Sequence, residues 1–191
     1  DTASQLCCKA LGVRSGDTVI DLCAAPGGKS FTLAEMMKNS GKVLSCDIYE
    51  HRLKLIKDGA DRLGLTNIET MLNDGSIYNA SIPKADKILC DVPCSGLGVI
   101  RKKPEIRYKK SDEVDKLGDL QYAILCVSSN YLKIGGELVY STCSLNPDEN
   151  EKIIEKFLSE HNDFESVKVL PELKRYNGET DYITLMPHIH G

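Results

Sequence analysis

Two cysteines of this chain stand where a thiol could act as a nucleophile. Cys94 lies in a loop of proline, serine and glycine, and Cys143 lies between Thr142 and Ser144; each follows a strand-like run of residues. Cysteine suits covalent catalysis because a useful fraction of it is thiolate near neutral pH. The residues alone rank neither thiol above the other as nucleophile, and the alternative for both is a buried structural thiol.

Aspartates occupy the ends of successive predicted strands. They are Asp21, Asp47, Asp74 and Asp91. A single aspartate at such a position is more often a cap or a turn residue. In an open parallel sheet, however, ligands bind at the carboxyl ends of the strands, so a series of acids along one rim predicts a binding site.

The loop after the first predicted strand has the composition of a nucleotide-binding turn. Residues Cys23 to Ser30 read Cys-Ala-Ala-Pro-Gly-Gly-Lys-Ser, and a helix-like segment follows. Small residues let a ligand approach the backbone closely, and a helix N-terminus favours negative charge. Asp47 comes 19 residues after Gly28, near the offset of roughly 20 residues at which an acid meets ribose hydroxyls. A ribose-bearing cofactor is therefore predicted.

A P-loop is the alternative interpretation of this turn. Gly28, Lys29 and Ser30 match the end of the P-loop motif, whereas the dinucleotide motif G-x-G-x-x-G is absent. The first glycine of a P-loop would fall at Cys23, and Pro26 removes an N–H from the turn that should hold phosphates. These two departures disfavour a P-loop-like nucleotide-binding enzyme, which we keep as the alternative.

Strand-like and helix-like segments alternate along the chain. The predicted strands are Thr18–Asp21, Lys42–Asp47, Ile68–Leu72, Lys87–Asp91 and Gly136–Tyr140. The predicted helices are Phe31–Lys38, Arg52–Leu63, one marked by apolar residues from Leu117 to Tyr131, and one that starts with Asn146 as N-cap, Pro147 at N1 and Glu149 at N3. This alternation predicts an α/β fold, a mostly parallel sheet with helices on both faces.

The composition excludes several classes of protein. The chain has 191 residues, enough for one domain, and no apolar run approaches the roughly 20 residues that cross a bilayer, so we predict no membrane segment. It has 8 cysteines without a C-x-x-C pair, which predicts neither a metal site nor a disulfide framework and favours a reducing cytoplasm. Buried structural thiols are predicted at Cys7, Cys8, Cys46, Cys90 and Cys126.

One segment is strongly basic although the net charge of the chain is −4. Residues 101–110 carry six positive charges and one negative charge, and Arg101, Lys102, Lys103 and Arg107 are candidate contacts to RNA phosphates. A solvated basic loop explains the same residues equally well. The overall negative charge disfavours a general nucleic-acid binder.

Three motifs together resemble the Sun/Fmu/RsmB family of RNA 5-methylcytosine methyltransferases. They are Asp21–Lys29, Asp91–Gly96 and Ser141–Ser144, and they occur in the order and spacing of that family, with Thr2–Leu6 and Pro187–Gly191 as further similar segments. The chain looks closest to the bacterial branch that modifies small-subunit ribosomal RNA. Family members carry an N-terminal RNA-binding region and one more C-terminal strand, so we expect residues 1–191 to be the catalytic domain.

The resemblance implies a Rossmann-like class I methyltransferase fold with S-adenosylmethionine as cofactor. It implies that Asp47 holds the ribose, that Asp74 lies near the adenine, and that Asp91 lies between cofactor and target cytosine. The methionine part would be wrapped by Cys23, Ala24, Ala25, Pro26, Gly27, Gly28 and Lys29.

The resemblance also implies roles for the two thiols. Cys143 would be the nucleophile that adds to carbon 6 of cytosine, so that carbon 5 can accept the methyl group, and Cys94 would assist release of the product. DNA cytosine-5 methyltransferases instead carry the nucleophile in a Pro-Cys pair like that at Cys94, which keeps a DNA target as an alternative. Intact thiols at both positions disfavour a non-catalytic RNA-binding module.

Overall fold

The computed structural model describes residues 2–108, 116–170 and 181–186. The helices are α1 (Thr2–Leu11), α2 (Gly28–Met36), α3 (Glu50–Leu63), α4 (Leu117–Ser129) and α5 (Glu151–Glu160). The strands are β1 (Thr18–Asp21), β2 (Lys42–Asp47), β3 (Ile68–Leu72), β4 (Ala85–Asp91) and β5 (Leu132–Ser141). Lys109 and Lys110 of the basic segment, and the segment Pro187–Gly191, lie outside the described residues.

The strands form one parallel sheet in the order β3-β2-β1-β4-β5 within the part of the chain that the structure describes. The central strand β1 pairs with β2 on one side and with β4 on the other. Val19, Ile20, Ile88 and Leu89 are completely buried, as expected of parallel strands that are covered on both faces. The predicted α/β fold is confirmed, and β1, β2 and β3 have the predicted bounds.

Alternate residues of the central strands pack against helices on opposite faces of the sheet. Val19 of β1 packs in one apolar cluster with Leu33 of α2. Its neighbour Ile20 packs in another with Ile88 of β4 and Val127 of α4. Successive side chains of a strand point to opposite faces, so each buried strand supports two layers of helix. Among the described residues, no helix has the length and apolar character needed to cross a membrane.

Several elements differ from the sequence prediction in their bounds. Helix α2 begins at Gly28 rather than at Phe31, because Gly27 adopts a left-handed conformation and starts the helix directly after the turn. Strand β5 begins at Leu132 rather than at Gly136, since backbone pairing of Leu132 with Ala85 extends it at its N-terminal end. Helix α1 was not predicted, because only two of its residues are buried.

The helix start predicted at Asn146 is wrong in one respect. Residues Pro147–Glu149 form a 3-10 turn whose N-cap is Asn146, and its Oδ1 accepts from Asp148 N at 3.1 Å. The α-helix itself begins two residues later, at Glu151. Glu149 does not complete a capping box, because its carboxylate is buried and accepts hydrogen bonds from Ser95 instead.

The chain divides into two compact units. We call the first, which comprises Asp1–Val92 and Ala123–Ser141 and contains the whole sheet, the sheet unit. We call the second, which comprises Pro93–Tyr122 and Thr142–Gly191 and contains Cys94 and Cys143, the thiol unit.

Candidate active site

The loop between β1 and α2 in the sheet unit leaves open space beside its backbone. Gly27 adopts a φ of +107°, and a Cβ there would lie 2.5 Å from Phe31 Cζ, so glycine is required. A Cβ at Gly28 would meet no heavy atom within 4 Å. Ala24 N donates to Cys46 O at 2.8 Å and ties the loop to the end of β2. The loop is therefore held by the sheet, while Gly28 leaves room for a ligand.

Asp21 ends β1 with only 1% of its surface exposed. Its Oδ2 accepts from Ser30 Oγ at 2.7 Å, and Ser30 Oγ in turn accepts from Ser45 Oγ at 2.9 Å. Its Oδ1 is buried without a hydrogen-bond partner among the residues that the structure describes. Burial raises the pKa of Asp21 to about 7 despite the opposing effect of Ser30. A buried acid with one unsatisfied oxygen suits a site that a ligand completes.

Asp47 ends β2, and its buried carboxylate is held by two groups from the start of α3. Its Oδ1 accepts from Tyr49 N at 3.0 Å, and its Oδ2 lies 3.2 Å from Arg52 Nη1. Arg52 Nη2 also donates to Ala25 O at 3.0 Å. Arg52 thus connects the predicted ribose-binding acid to the predicted cofactor loop. Sequence reasoning missed Arg52, and the available signal was an arginine in the first turn of the helix that follows Asp47.

Asp74 lies beyond the end of β3 and contributes to a cleft of about 470 Å³. Ser76 fixes the carboxylate of Asp74, donating to its Oδ1 from N at 2.9 Å and from Oγ at 2.6 Å. The cleft is lined by Ile48, Leu72, Asn73, Asp74, Ile77, Tyr78, Asn79 and Ala80. The cleft is open to solvent, and its volume lies within the range of small-molecule sites. Of the predicted cofactor-binding residues, Asp74 lines this cleft, whereas Asp47, Asp91 and the Cys23–Lys29 loop do not.

Asp91 ends β4 and pairs with Lys29 of the predicted cofactor loop. Lys29 Nζ lies 2.6 Å from Asp91 Oδ2, and Ser141 Oγ donates to Asp91 Oδ1 at 2.6 Å. Cys7 Sγ of α1 donates to Ser141 Oγ at 3.4 Å. Burial by itself would lower the pKa of Lys29, but the Asp91 carboxylate raises it above its ordinary value. The lysine therefore stays charged, and it joins two of the predicted cofactor-binding segments.

The sulfurs of Cys94 and Cys143 in the thiol unit are 2.8 Å apart. Cys143 N also donates to Cys94 Sγ at 3.1 Å, and Cys143 is exposed whereas Cys94 is half-buried. The hydrogen bond to Cys143, followed by burial, raises the pKa of Cys94. Gly98 N donates to Cys143 O at 2.9 Å, and a Cβ at Gly98 would lie 2.8 Å from that oxygen. Close packing of the two loops thus sets the position of the thiols.

Glu149 links the two loops that carry the thiols. Its Oε1 accepts from Ser95 N at 2.7 Å and from Gln121 Nε2 at 3.0 Å, and its Oε2 accepts from Ser95 Oγ and Ser144 Oγ. Burial alone would raise the pKa of Glu149, but these hydrogen bonds hold it below its ordinary value. Sequence reasoning placed Glu149 at a helix start and missed this role. The available signal was the repeated Cys-Ser pair, Cys94-Ser95 and Cys143-Ser144.

The other cysteines predicted as structural thiols lie in or against the core. Burial raises the pKa of Cys8, Cys46 and Cys90 to about 12 and that of Cys7 to about 11. Cys126 is half-buried. The thiols with a raised pKa, those of Cys7, Cys8, Cys46 and Cys90, therefore stay protonated at neutral pH. A protonated thiol suits packing rather than nucleophilic chemistry.

The described part of the basic segment is exposed around one buried residue. Arg101, Lys102, Lys103 and Arg107 are all exposed, and Ile106 is buried. Arg107 lies in a short 3-10 helix, Pro104–Tyr108, and the other three basic residues precede that helix in the chain.

The parallel sheet of this order, with a glycine turn after β1 and acids after successive strands, has the Rossmann-like fold of class I S-adenosylmethionine-dependent methyltransferases. The crystal structure of PH0851 is similar, with a TM-score of 0.85 and 39% identity over 87% of this chain and 38% of that one. The structure of NSun6 from Pyrococcus horikoshii with SFG has a TM-score of 0.76 and 32% identity, and covers 82% of this chain and 40% of that one.

Sequence comparison gives the family. A family model for the 16S rRNA methyltransferases RsmB/F matches residues 8–191. The probable ribosomal RNA small subunit methyltransferase B of Bacillus subtilis (strain 168) is 44% identical over 198 residues, covering 100% of this chain and 44% of that protein. The chain belongs to the RsmB/F family, whose cofactor is S-adenosylmethionine, and it spans less than half the length of this curated relative.

Proposed function

We propose that this chain transfers a methyl group from S-adenosylmethionine to carbon 5 of a cytosine in RNA, with small-subunit ribosomal RNA as the substrate. The observation that carries the proposal is the contact between the sulfurs of Cys94 and Cys143, 2.8 Å apart. Two thiols in contact suit a reaction in which one adds covalently to the base and the other assists its release. The names of the family and of its relatives supply the class of RNA.

Cys143 is the nucleophile in this proposal. It is the more exposed thiol, and Cys94 keeps a proton at neutral pH because the hydrogen bond to Cys143 and burial raise its pKa. The Cys143 thiolate adds to carbon 6 of cytosine, and the electron pair of the 5,6 double bond moves to carbon 5. Carbon 5 can then accept a methyl group, which S-adenosylmethionine would supply when bound, leaving as S-adenosylhomocysteine.

Cys94 assists the release of the product. Loss of the carbon-5 proton to water restores the 5,6 double bond and expels the Cys143 thiolate. The Cys94 thiol, 2.8 Å away, stabilises the departing sulfur by donating a hydrogen bond to it. Because a thiol can reach carbon 6 only from the face of the base, the target cytosine must be unstacked.

We place S-adenosylmethionine in the sheet unit, with the loop Cys23–Lys29 around its methionine part, Asp47 at the ribose and Asp74 at the adenine. Support comes from the open space at Gly28 and from the unsatisfied Oδ1 of Asp21. Asp91 is held by Lys29 and Ser141 and precedes Cys94 by three residues in the sequence. We assign a catalytic role to it.

We assign RNA phosphate contacts to Arg101, Lys102, Lys103 and Arg107. Their shared exposure and positive charge support this assignment, since phosphate contacts dominate the affinity of proteins for nucleic acids. The proposal locates the activity in the cytoplasm, where the free cysteines stay reduced.

The test of the proposed function compares cysteine variants in the complete protein. Cys143→Ala should abolish methyl transfer to ribosomal RNA but retain S-adenosylmethionine binding, measured by calorimetry. Cys94→Ala should still add and methylate but release product slowly, so methylated RNA should stay attached through Cys143 and survive denaturing electrophoresis. Cys126→Ala, at a half-buried thiol of α4, is the matched control and should behave as the unmodified protein.

Different outcomes contradict different parts of the proposal. A covalent complex in Cys143→Ala but not in Cys94→Ala would reverse the two roles. Full activity in both variants would show that neither thiol is catalytic. Methyl transfer to a DNA strand of the same sequence, without transfer to RNA, would exclude RNA as the substrate.

A further inference from the structure

Each of the two thiols is followed by a serine that donates to the same carboxylate. Ser95 follows Cys94 and donates to Glu149 from both its backbone N, at 2.7 Å, and its hydroxyl. Ser144 follows Cys143 and donates to Glu149 from its hydroxyl. The two serine hydroxyls also lie 2.9 Å apart. One acceptor group therefore fixes the residues next to both thiols.

The carboxylate is itself held in one position. Glu149 is 1% exposed, and Gln121 Nε2 of α4 donates both to Glu149 Oε1 at 3.0 Å and to Pro93 O at 2.9 Å. Pro93 precedes Cys94, so the Cys94 loop is bonded on both sides of the thiol. A buried carboxylate is stable only when hydrogen bonds replace its water, and four donors do so here.

We propose that Glu149 is a positioning residue that holds Cys94 and Cys143 at the separation at which both act on one cytosine. The inference rests on the proposed function, because it assigns Glu149 to the same reaction. In this scheme Glu149 acts on the two thiols through its hydrogen bonds with Ser95 and Ser144. A displacement of about 1 Å in a catalytic group can lower a rate about 100-fold, so the loss of this support should appear in kcat.

A purely stabilising role for Glu149 makes a different prediction. It would lower the stability of Glu149 variants, yet leave the folded fraction with an unchanged kcat and an unchanged distance between the two sulfurs. The positioning role requires hydrogen bonds from residue 149 to both thiol loops. The substitution Glu149→Gln keeps one carbonyl oxygen for the two N–H donors, while the new amide nitrogen can donate to the serine hydroxyls, which rotate to accept. The substitution Glu149→Met introduces a side chain of similar length that lacks these oxygen acceptors.

The experiment compares Glu149→Met with Glu149→Gln in the complete protein, below the melting temperature of each. Glu149→Met should lower kcat for methyl transfer to ribosomal RNA about 100-fold while the KM values for RNA and S-adenosylmethionine stay within about 3-fold. Glu149→Gln should recover kcat to within about 10-fold of the unmodified protein. Glu155→Gln, at an exposed acid of α5, is the control and should change nothing.

A second measurement reports the distance between the thiols without catalysis. Phenylarsine oxide condenses with two neighbouring thiols to form two As–S bonds and one water. It should bridge Cys94 and Cys143 in the unmodified protein and in Glu149→Gln, as located by mass spectrometry of a digest. Bridging should be much slower in Glu149→Met and absent in Cys94→Ala. If Glu149→Met does not fold, Ser144→Ala replaces it and should lower kcat and bridging in the same direction by a smaller factor.

The outcomes separate this inference from the proposed function. If the unmodified protein is active and Glu149→Met has the same kcat as Glu149→Gln, the positioning role is overturned. The methyltransferase assignment then remains intact. A fall in kcat with unchanged bridging would also overturn it, since the thiols would then have kept their separation. An unmodified protein that transfers no methyl group to RNA would instead contradict the proposed function.

Discussion

Asp21 in the sheet unit and Glu149 in the thiol unit are both carboxylates with 1% of their surface exposed, yet their pKa values move in opposite directions. Asp21 accepts from one hydroxyl and has an unsatisfied oxygen within the described residues, so burial raises its pKa from 3.8 to about 7. Glu149 accepts from four donors, which outweigh burial and lower its pKa from 4.5. The hydrogen-bond donors that surround Glu149, and that Asp21 largely lacks, favour the charged form of the buried acid.

The two acids therefore respond oppositely to pH. The contribution of Glu149 to stability is present above its ordinary pKa of 4.5 and is lost as the pH falls through its lowered value. The contribution of Asp21 is fully present below 3.8 and is lost as the pH rises through about 7. An ionised carboxylate whose oxygens all accept hydrogen bonds stabilises the fold. A buried carboxylate with an unpaired oxygen destabilises the fold when it ionises, and it suits a site that a ligand completes.

The largest effect on stability is expected from Glu149→Met. Four buried donors would lose their acceptor, and each unsatisfied donor costs about 1–3 kcal/mol, partly offset because the two hydroxyls can bond to each other. We expect the free energy of unfolding, measured with urea at pH 7, to fall by at least about 3 kcal/mol. A loss below about 1 kcal/mol would mean that the donors find other partners, and the contrast with Asp21 would disappear.

Asp21→Asn should have the opposite sign. The amide keeps an acceptor for Ser30 Oγ but has no charge to bury, so the variant should gain stability over the unmodified protein as the pH rises from the ordinary pKa of Asp21 to its raised value. Between pH 5 and pH 7 the gain should grow by roughly 2 kcal/mol and then level off. Urea unfolding at a series of pH values measures it. A gain that does not change with pH would show that Asp21 is ionised throughout this range.

The smallest effect is expected from removing one serine hydroxyl at each carboxylate. Ser95→Ala takes one of several donors from Glu149 and should lower stability by about 1–2 kcal/mol at any pH between 6 and 8. Ser30→Ala takes from Asp21 the one side-chain hydroxyl that donates to it and should lower stability more at pH 8 than at pH 6. Equal pH dependence in the two variants would contradict the difference between the sites.

Much of the fold could be predicted because its signals are local. The runs Thr18–Asp21, Lys42–Asp47 and Ile68–Leu72 are strands with the predicted bounds, since short apolar runs between turn residues are typical of buried parallel strands. The glycine turn after β1 was predictable for the same reason, because its small residues are neighbours in the sequence. The predicted bounds were wrong where strand pairing or helix capping set the start of an element, as at the start of β5 and around Asn146.

The sequence by itself determined the alternation of strands and helices, the acids at the strand ends and the presence of two thiols in loops that follow strands. Only the tertiary structure decided that Cys94 and Cys143, 49 residues apart, are in contact, that Arg52 holds Asp47, and that Glu149 supports both thiol loops rather than a helix start. The reason is physical. Periodicity and turn chemistry depend on neighbouring residues, whereas the hydrogen-bond partners of a buried carboxylate come from segments far apart in the chain.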